Sequence, residues 1–245
     1  MGIEFKQNIK VLSSQTDMNI EMGIVQSIAL IQDNMCEFFK NVHCDGMTLI
    51  PTHNCFFVVT KTKVHFDRFA KWLDLVEMTT DVSSLSRISV NLKTDFVDVN
   101  RKEKFVSCVQ EMCAMDNDSR RVRLLNTTPF PNVNDESGVR EKVFSKFSQE
   151  FDIEDLVREV KVDSMNIDIY QHTNNVEYVR LMMSVLDKKF FLDKRITDFE
   201  IHYVSESKYG DVLQIYKKEL SDGIYFEIRN DDRVVTKALV EYIDR

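Results

Sequence analysis

The chain has 245 residues, 43% hydrophobic and 29% charged, with a formal net charge of −8; this length allows one large domain or two of about 120 residues, and the negative balance argues against a nucleic-acid partner. Six Gly and three Pro leave little for a Gly-rich nucleotide loop, no P-loop or GxGxxG pattern occurs, and no apolar run approaches the ~18 residues of a membrane span. Five cysteines (Cys36, Cys44, Cys55, Cys108, Cys113) form no CxxC pair and no zinc spacing, so they read as reduced thiols; neither a metal nor a cofactor is expected.

The start of the chain, Met1-Gly2-Ile3-Glu4-Phe5-Lys6, has neither the features of a signal peptide nor the Arg/Ser richness of a transit sequence, which makes a cytoplasmic protein the expectation. A strand-like run covers 5–12. After a loop through Thr16-Asp17, a helical pattern runs from about 23 to 42, with Ile24, Ile28, Ile31, Met35 and Phe38/Phe39 at helical spacing. Gly46 and Pro51 mark a loop. Strand signals rich in Val, Phe and Thr follow at 55–64, 73–82, 88–97 and 105–115. Residues 125–138 hold two of the three prolines and several Asn and Asp. With the irregular or briefly helical stretch 139–149, they are expected to form a linker over 125–150 between units at 1–124 and 151–245.

The second half repeats the order. A strand at 156–162 leads to a polar loop at Asp168, a helix over about 174–188, and strands at 197–204, 212–220, 224–230 and 233–242. Two short echoes support the division. Lys71-Trp72-Leu73-Asp74-Leu75-Val76 matches Lys208-Tyr209-Gly210-Asp211-Val212-Leu213, and Asp17-Met18-Asn19-Ile20-Glu21 matches Asp168-Ile169-Tyr170-Gln171-His172. One long helix followed by about four antiparallel strands, twice, predicts an α+β protein in which each helix lies against a curved sheet.

The chemistry concentrates in Asp168-Ile169-Tyr170-Gln171-His172-Thr173-Asn174-Asn175, just before the apolar-periodic segment 176–186. An acid and an imidazole stand four residues apart at a helix start, where backbone N–H groups are free. Such a cluster suits hydrolysis of a polarised carbonyl. A second acid, Glu206, lies in a strand-like segment downstream and completes the candidate set.

These residues resemble a known family. Asp-x-x-x-His-x-Asn-Asn before a helix resembles the hotdog-fold thioesterases, and more closely the acyl–acyl carrier protein thioesterases, which carry two hotdog units in one chain. Tyr203-Val204-Ser205-Glu206-Ser207 and Gly210-Asp211-Val212-Leu213 are similar to that family's Tyr-Arg-Arg-Glu-Cys and Asp-Ser-Val-Leu. Phe57-Val58-Val59-Thr60-Lys61 and Trp72-Leu73-Asp74-Leu75-Val76 resemble its Trp-Val-Val-Thr-Arg and Trp-Gly-Asp-Thr-Val. The resemblance spans about residues 3–243. It implies a tandem hotdog of the bacterial type, hydrolysing fatty acyl–acyl carrier protein to a free fatty acid and the carrier thiol without a cofactor.

The resemblance also implies roles. Asp168, His172 and Glu206 are the expected catalytic side chains. N–H groups at the helix start near Asn174 and Asn175 are expected to polarise the carbonyl. Tyr170 stands where the family usually has Asn, and Ser207 where many members have Cys, so water is the expected nucleophile. The first unit, with Glu21 in place of the imidazole, is expected to hold the acyl tail; Ile28, Ile31 and Met35 are candidate lining residues and equally plausible core. Basic clusters at Lys61-Lys63-Arg68-Lys71, Arg120-Arg121-Arg123 and Lys188-Lys189-Lys194-Arg195 are candidate landing surfaces for an acidic carrier. Two alternatives stay open: an acyl-coenzyme A thioesterase, and a non-catalytic acyl-binding hotdog protein, the latter because of Tyr170. The sequence also leaves room for a homodimer.

Overall fold

The computed structural model describes residues 3–131 and 143–245. The chain forms two compact units, Met1–Val143 and Phe144–Arg245. The first contains β1 (Glu4–Lys10), α1 (Ile24–Asn41), α2 (Gly46–His53), β2 (Cys55–Phe66), β3 (Leu75–Leu85), β4 (Ser89–Asp98) and β5 (Lys104–Asp116). Its strands pair antiparallel in the order β1-β3-β4-β5-β2. The period of 3.6 explains α1: Ile24, Ser27, Ile28, Ile31, Asn34, Met35, Phe38 and Phe39 form its buried stripe. The period of 2 explains β4, whose residues alternate between half-buried and fully buried from end to end. The stripe and the sheet face bury each other, and a fully buried Phe such as Phe38 contributes roughly 2–3 kcal/mol of transfer free energy.

Two expectations for this unit need correction. The loop expected at Gly46 and Pro51 is the helix α2. Asp45 caps it, its carboxylate accepting the Thr48 N–H at 3.0 Å and the Thr48 hydroxyl at 2.8 Å, and Asn54 ends it in the left-handed region at φ 50°. The segment expected to begin a linker is, at its start, part of the first core. Leu125 and Phe130 are buried in one cluster with Met35, Phe38, Phe39 and Leu49, and the Phe57 and Phe130 rings lie 5.6 Å apart. Residues 132–142 of that segment lie outside the described residues. At its far end, Phe147 packs on His202 of the second unit at 4.5 Å.

The second unit contains β6 (Leu156–Lys161), α3 (Asn175–Met183), α4 (Lys188–Asp193), β7 (Lys194–Tyr203), β8 (Val212–Leu220), β9 (Gly223–Asn230) and β10 (Arg233–Asp244). The strand order β6-β8-β9-β10-β7 is that of the first unit, strand for strand. The helix expected over 174–188 stops at Met183. Asp187 starts α4 by accepting the Phe190 N–H at 2.7 Å, so a capped second helix replaces the tail of one long helix. Among the described residues, no helix is long and apolar enough to cross a membrane.

Candidate active site

The Asp168 loop is built by its own first residue. Asp168 Oδ1 accepts the N–H of Tyr170 at 2.8 Å and of His172 at 3.3 Å. The Asp168 N–H donates to the His172 carbonyl at 2.9 Å, and Gln171, in the left-handed region at φ 65°, donates its N–H to the Asp168 carbonyl at 3.1 Å. This is an aspartate-nucleated turn closed on itself, and it fixes the direction in which the imidazole leaves the backbone.

The echo in the first half is the same loop, bond for bond. Asp17 Oδ1 accepts the N–H of Asn19 at 2.8 Å and of Glu21 at 3.3 Å. The Asp17 N–H donates to the Glu21 carbonyl at 2.8 Å, and Ile20 takes φ 62°. The second echo is equally faithful: Lys71 and Lys208 each donate their N–H to the aspartate three residues on, Asp74 and Asp211, at 2.9 Å. The chemistry differs. Where the second unit has His172, the first has Glu21, and where the Thr173 N–H bonds the Ser207 carbonyl (2.9 Å), the Met22 N–H bonds that of Ala70 (2.7 Å). Phe69 therefore occupies the position of Glu206, and only the second copy carries both an imidazole and a carboxylate.

His172 Nε2 lies 3.3 Å from Glu206 Oε2, with the imidazole 18% and the carboxylate 42% exposed. The structure thus brings Asp168, His172 and Glu206 into one constellation: Glu206 touches the imidazole, and Asp168 holds its backbone. Asn174 is the N-cap of α3, its side chain accepting the Val176 N–H at 2.9 Å. Its own N–H is not available to a carbonyl, because it donates to the Asn166 carbonyl at 2.8 Å; that expectation is corrected. Asn175 is the first residue of α3, where a backbone N–H has no partner within the helix itself. The Tyr170 side chain is exposed, and its backbone N–H serves the loop.

Sequence reasoning missed the layer beside these residues. Ser207, fully buried, holds its hydroxyl 2.7 Å from that of Thr173 and 2.8 Å from that of Tyr178. Asn166 also anchors the helix start through its side chain, donating to Glu177 at 3.1 Å. The signal available was the placement of two hydroxyl residues, Thr173 directly after His172 and Ser207 directly after Glu206. His202 is paired in the same unit: its Nε2 lies 2.9 Å from buried Glu200, which also accepts the Ser145 N–H and hydroxyl.

In the first unit, Ile28, Ile31 and Met35 are buried on the inner stripe of α1. A cleft of about 250 Å³ opens in the same unit between Leu85–Arg87 and Leu124–Pro131, lined in part by Leu125 and Phe130 of the Met35 cluster. Much of the basic surface is engaged: Lys61 pairs with Glu111 at 2.9 Å, Arg68 with Asp98 at 2.7 Å, and Lys194 with Asp244.

Comparison with known proteins agrees with this architecture. The Acyl-ACP thioesterase N-terminal domain matches residues 2–127, and the Acyl-ACP thioesterase C-terminal domain matches residues 149–244. The chloroplastic acyl-[acyl-carrier-protein] hydrolase FATB3 of Cuphea viscosissima is 21% identical over 223 residues, covering 87% of this chain and 54% of that protein. The chain therefore spans about half the length of that curated relative. Among solved structures, an acyl-ACP thioesterase from Bacteroides thetaiotaomicron superposes with a TM-score of 0.83 at 17% identity, covering 98% of each chain. The 12:0-ACP thioesterase from Umbellularia californica gives 0.85 at 17% identity, covering 100% of this chain and 99% of that one. These likenesses establish the double hotdog fold, and with both domain descriptions matched, the chain belongs to the acyl-ACP thioesterase family.

Proposed function

We propose that the chain hydrolyses the thioester of fatty acyl–acyl carrier protein, with Glu206, His172 and Asp168 as its working side chains. The observation that carries this reading is the 3.3 Å contact between His172 and Glu206 at the start of α3, present in the second unit and replaced by Glu21 and Phe69 in the first. Glu206, the carboxylate that touches the imidazole, takes a proton from a water, and the oxygen of that water bonds to the thioester carbon. Asp168 is the weaker candidate for that step, since its Oδ1 already accepts two N–H groups. Asp168 instead holds the loop that carries the imidazole and adds a negative charge to it. The Asn175 N–H is positioned at the helix start to stabilise the oxyanion, a contribution of ~3 kcal/mol for one such donor. As the C–S bond breaks, the thiolate takes a proton from His172, and the proton held by Glu206 restores the imidazole. Ser207 does not act as nucleophile, because its hydroxyl is buried between two others.

The acyl tail belongs to the first unit in this reading, with Ile28, Ile31 and Met35 as its walls. The cleft of this unit is lined by Leu125 and Phe130, which share a buried cluster with Met35, but not by Ile28, Ile31 or Met35 themselves. Exposed Arg120, Arg121, Lys188 and Lys189 are the cations offered to an acidic carrier. All five cysteines are free thiols, which fits a cytoplasmic setting. The test is thiol release from one acyl group presented on carrier protein and on coenzyme A. Faster turnover on the carrier, weakened by salt, supports the proposal; faster turnover on coenzyme A redirects it, and no turnover on either rejects it.

A further inference from the structure

The carriers of the two titratable groups are separated by a long stretch of chain, and their contact is too exposed to hold itself together. Immediately after each of them stands a buried hydroxyl. Thr173 follows His172, Ser207 follows Glu206, and the two hydroxyl oxygens lie 2.7 Å apart. The Thr173 N–H also donates to the Ser207 carbonyl at 2.9 Å. Tyr178, one turn into α3, closes the group: its phenol oxygen lies 2.8 Å from Ser207 Oγ and accepts the Ser207 N–H at 3.2 Å. Relative exposures are 4% for Thr173, 0% for Ser207 and 2% for Tyr178.

We propose that the Thr173, Ser207 and Tyr178 hydroxyls form a positioning clamp that sets the separation of His172 and Glu206. The inference rests on the thioesterase reading above and deepens it. The phenol oxygen accepts an N–H, so its own proton is free to donate to Ser207 Oγ, and the Ser207 proton then reaches Thr173. Burial pushes the Tyr178 phenol above its ordinary value, so it stays a protonated donor at neutral pH.

The first unit supplies an internal control. The same three positions hold Met22, Ala70 and Ser27. There the backbone bond between Met22 and Ala70 suffices to close the loop, and the Ser27 hydroxyl turns to the carbonyls of Met22 and Gly23 at 3.3 and 3.0 Å. The fold therefore forms without the hydroxyl group. It occurs in the copy that has an imidazole and a carboxylate to hold.

The test combines variants in the full-length chain. Tyr178→Phe and Thr173→Val are expected to lower kcat about tenfold or more with KM changed less than about twofold, as for a misplaced reacting group. Thr173→Ser, which keeps the hydroxyl, restores kcat. In a Glu206→Gln background, Tyr178→Phe costs almost nothing further, because the group it positions is gone. Multiplicative losses in the double variant, or equal loss for Thr173→Ser and Thr173→Val, overturn the clamp. The ring-nitrogen NMR signals of His172 test it without turnover: they respond to Glu206→Gln in the wild type and much less in the Tyr178→Phe protein. An equal response in both overturns the clamp even if the thioesterase reading holds; absence of wild-type turnover on every acyl thioester rejects that reading and leaves the NMR comparison to decide the clamp alone.

Discussion

The duplicated loop permits a mutation with a control inside the same chain. Asp168→Ala removes an acceptor for two backbone N–H groups, one at 2.8 Å and one at 3.3 Å. Charge-assisted bonds of this kind contribute about 1.5–3 kcal/mol each when well formed. The second is long and the loop is partly solvated, so the sum is set at about 2 kcal/mol. For a chain of this length that corresponds to a fall in Tm of about 4–8 °C. Asp17→Ala removes the same two bonds at 2.8 and 3.3 Å and is expected to cost the same. The two variants part in activity: Asp168→Ala lowers kcat by about 100-fold or more, and Asp17→Ala leaves it unchanged. Asp168→Asn keeps an oxygen acceptor and loses the charge, so it retains most of the Tm yet still lowers kcat. Calorimetry and steady-state thiol release read both quantities. Equal kcat losses for the Asp17 and Asp168 variants would refute the reasoning, as would full activity in Asp168→Asn.

Three further outcomes follow from the geometry. The Asp98 carboxyl is held below the usual carboxylate range, first by the Arg101 N–H, then by that of Asn100 and by Arg68. Its stabilising effect is complete above its unfolded value of about 3.9 and is lost as pH falls through the lower folded value, so Asp98→Asn flattens the dependence of Tm on pH below about 4. At Gly223, φ is +146° and an added Cβ would stand 2.5 Å from the Val240 carbonyl oxygen, so Gly223→Ala is expected to destabilise by about 2 kcal/mol or more in chemical denaturation. Ile31→Ala costs about 2–4 kcal/mol as a core truncation; if Ile31 also walls the acyl site, product analysis shows a shift toward longer chains, and an unchanged product profile would reassign it to the core alone.

Much of the fold was legible because its signals are local. Strand ends read from Val, Phe and Thr runs and turn residues fall within about three residues of the observed ones. The stripe from Ile24 to Phe39 declared α1 by its period. Two of the failures were also local. Gly46 and Pro51 carry breaker chemistry, yet Asp45 and Asn54 cap a helix around them. Apolar periodicity runs across 184–187 although Asp187 restarts the helix there. Leu125 and Phe130 lie in a Pro/Asn-rich stretch whose composition says loop, while their burial depends on tertiary neighbours no local window contains. At the site, spacing showed that Asp168 and His172 share a loop, and motif order linked Glu206 to them. Ser207 was read only as the absence of a cysteine, and its link to Thr173 escaped notice because it is a contact across 34 residues of sequence.

The most direct measurement is single-turnover thiol release from fatty acyl–acyl carrier protein by the wild type and by Glu206→Gln, His172→Ala and Asp168→Asn, each first shown to be folded. The account expects wild-type hydrolysis and a substantial loss of the chemical rate in all three variants, largest for Glu206→Gln at about 100-fold or more. Rates in the three variants close to that of the wild type would contradict it.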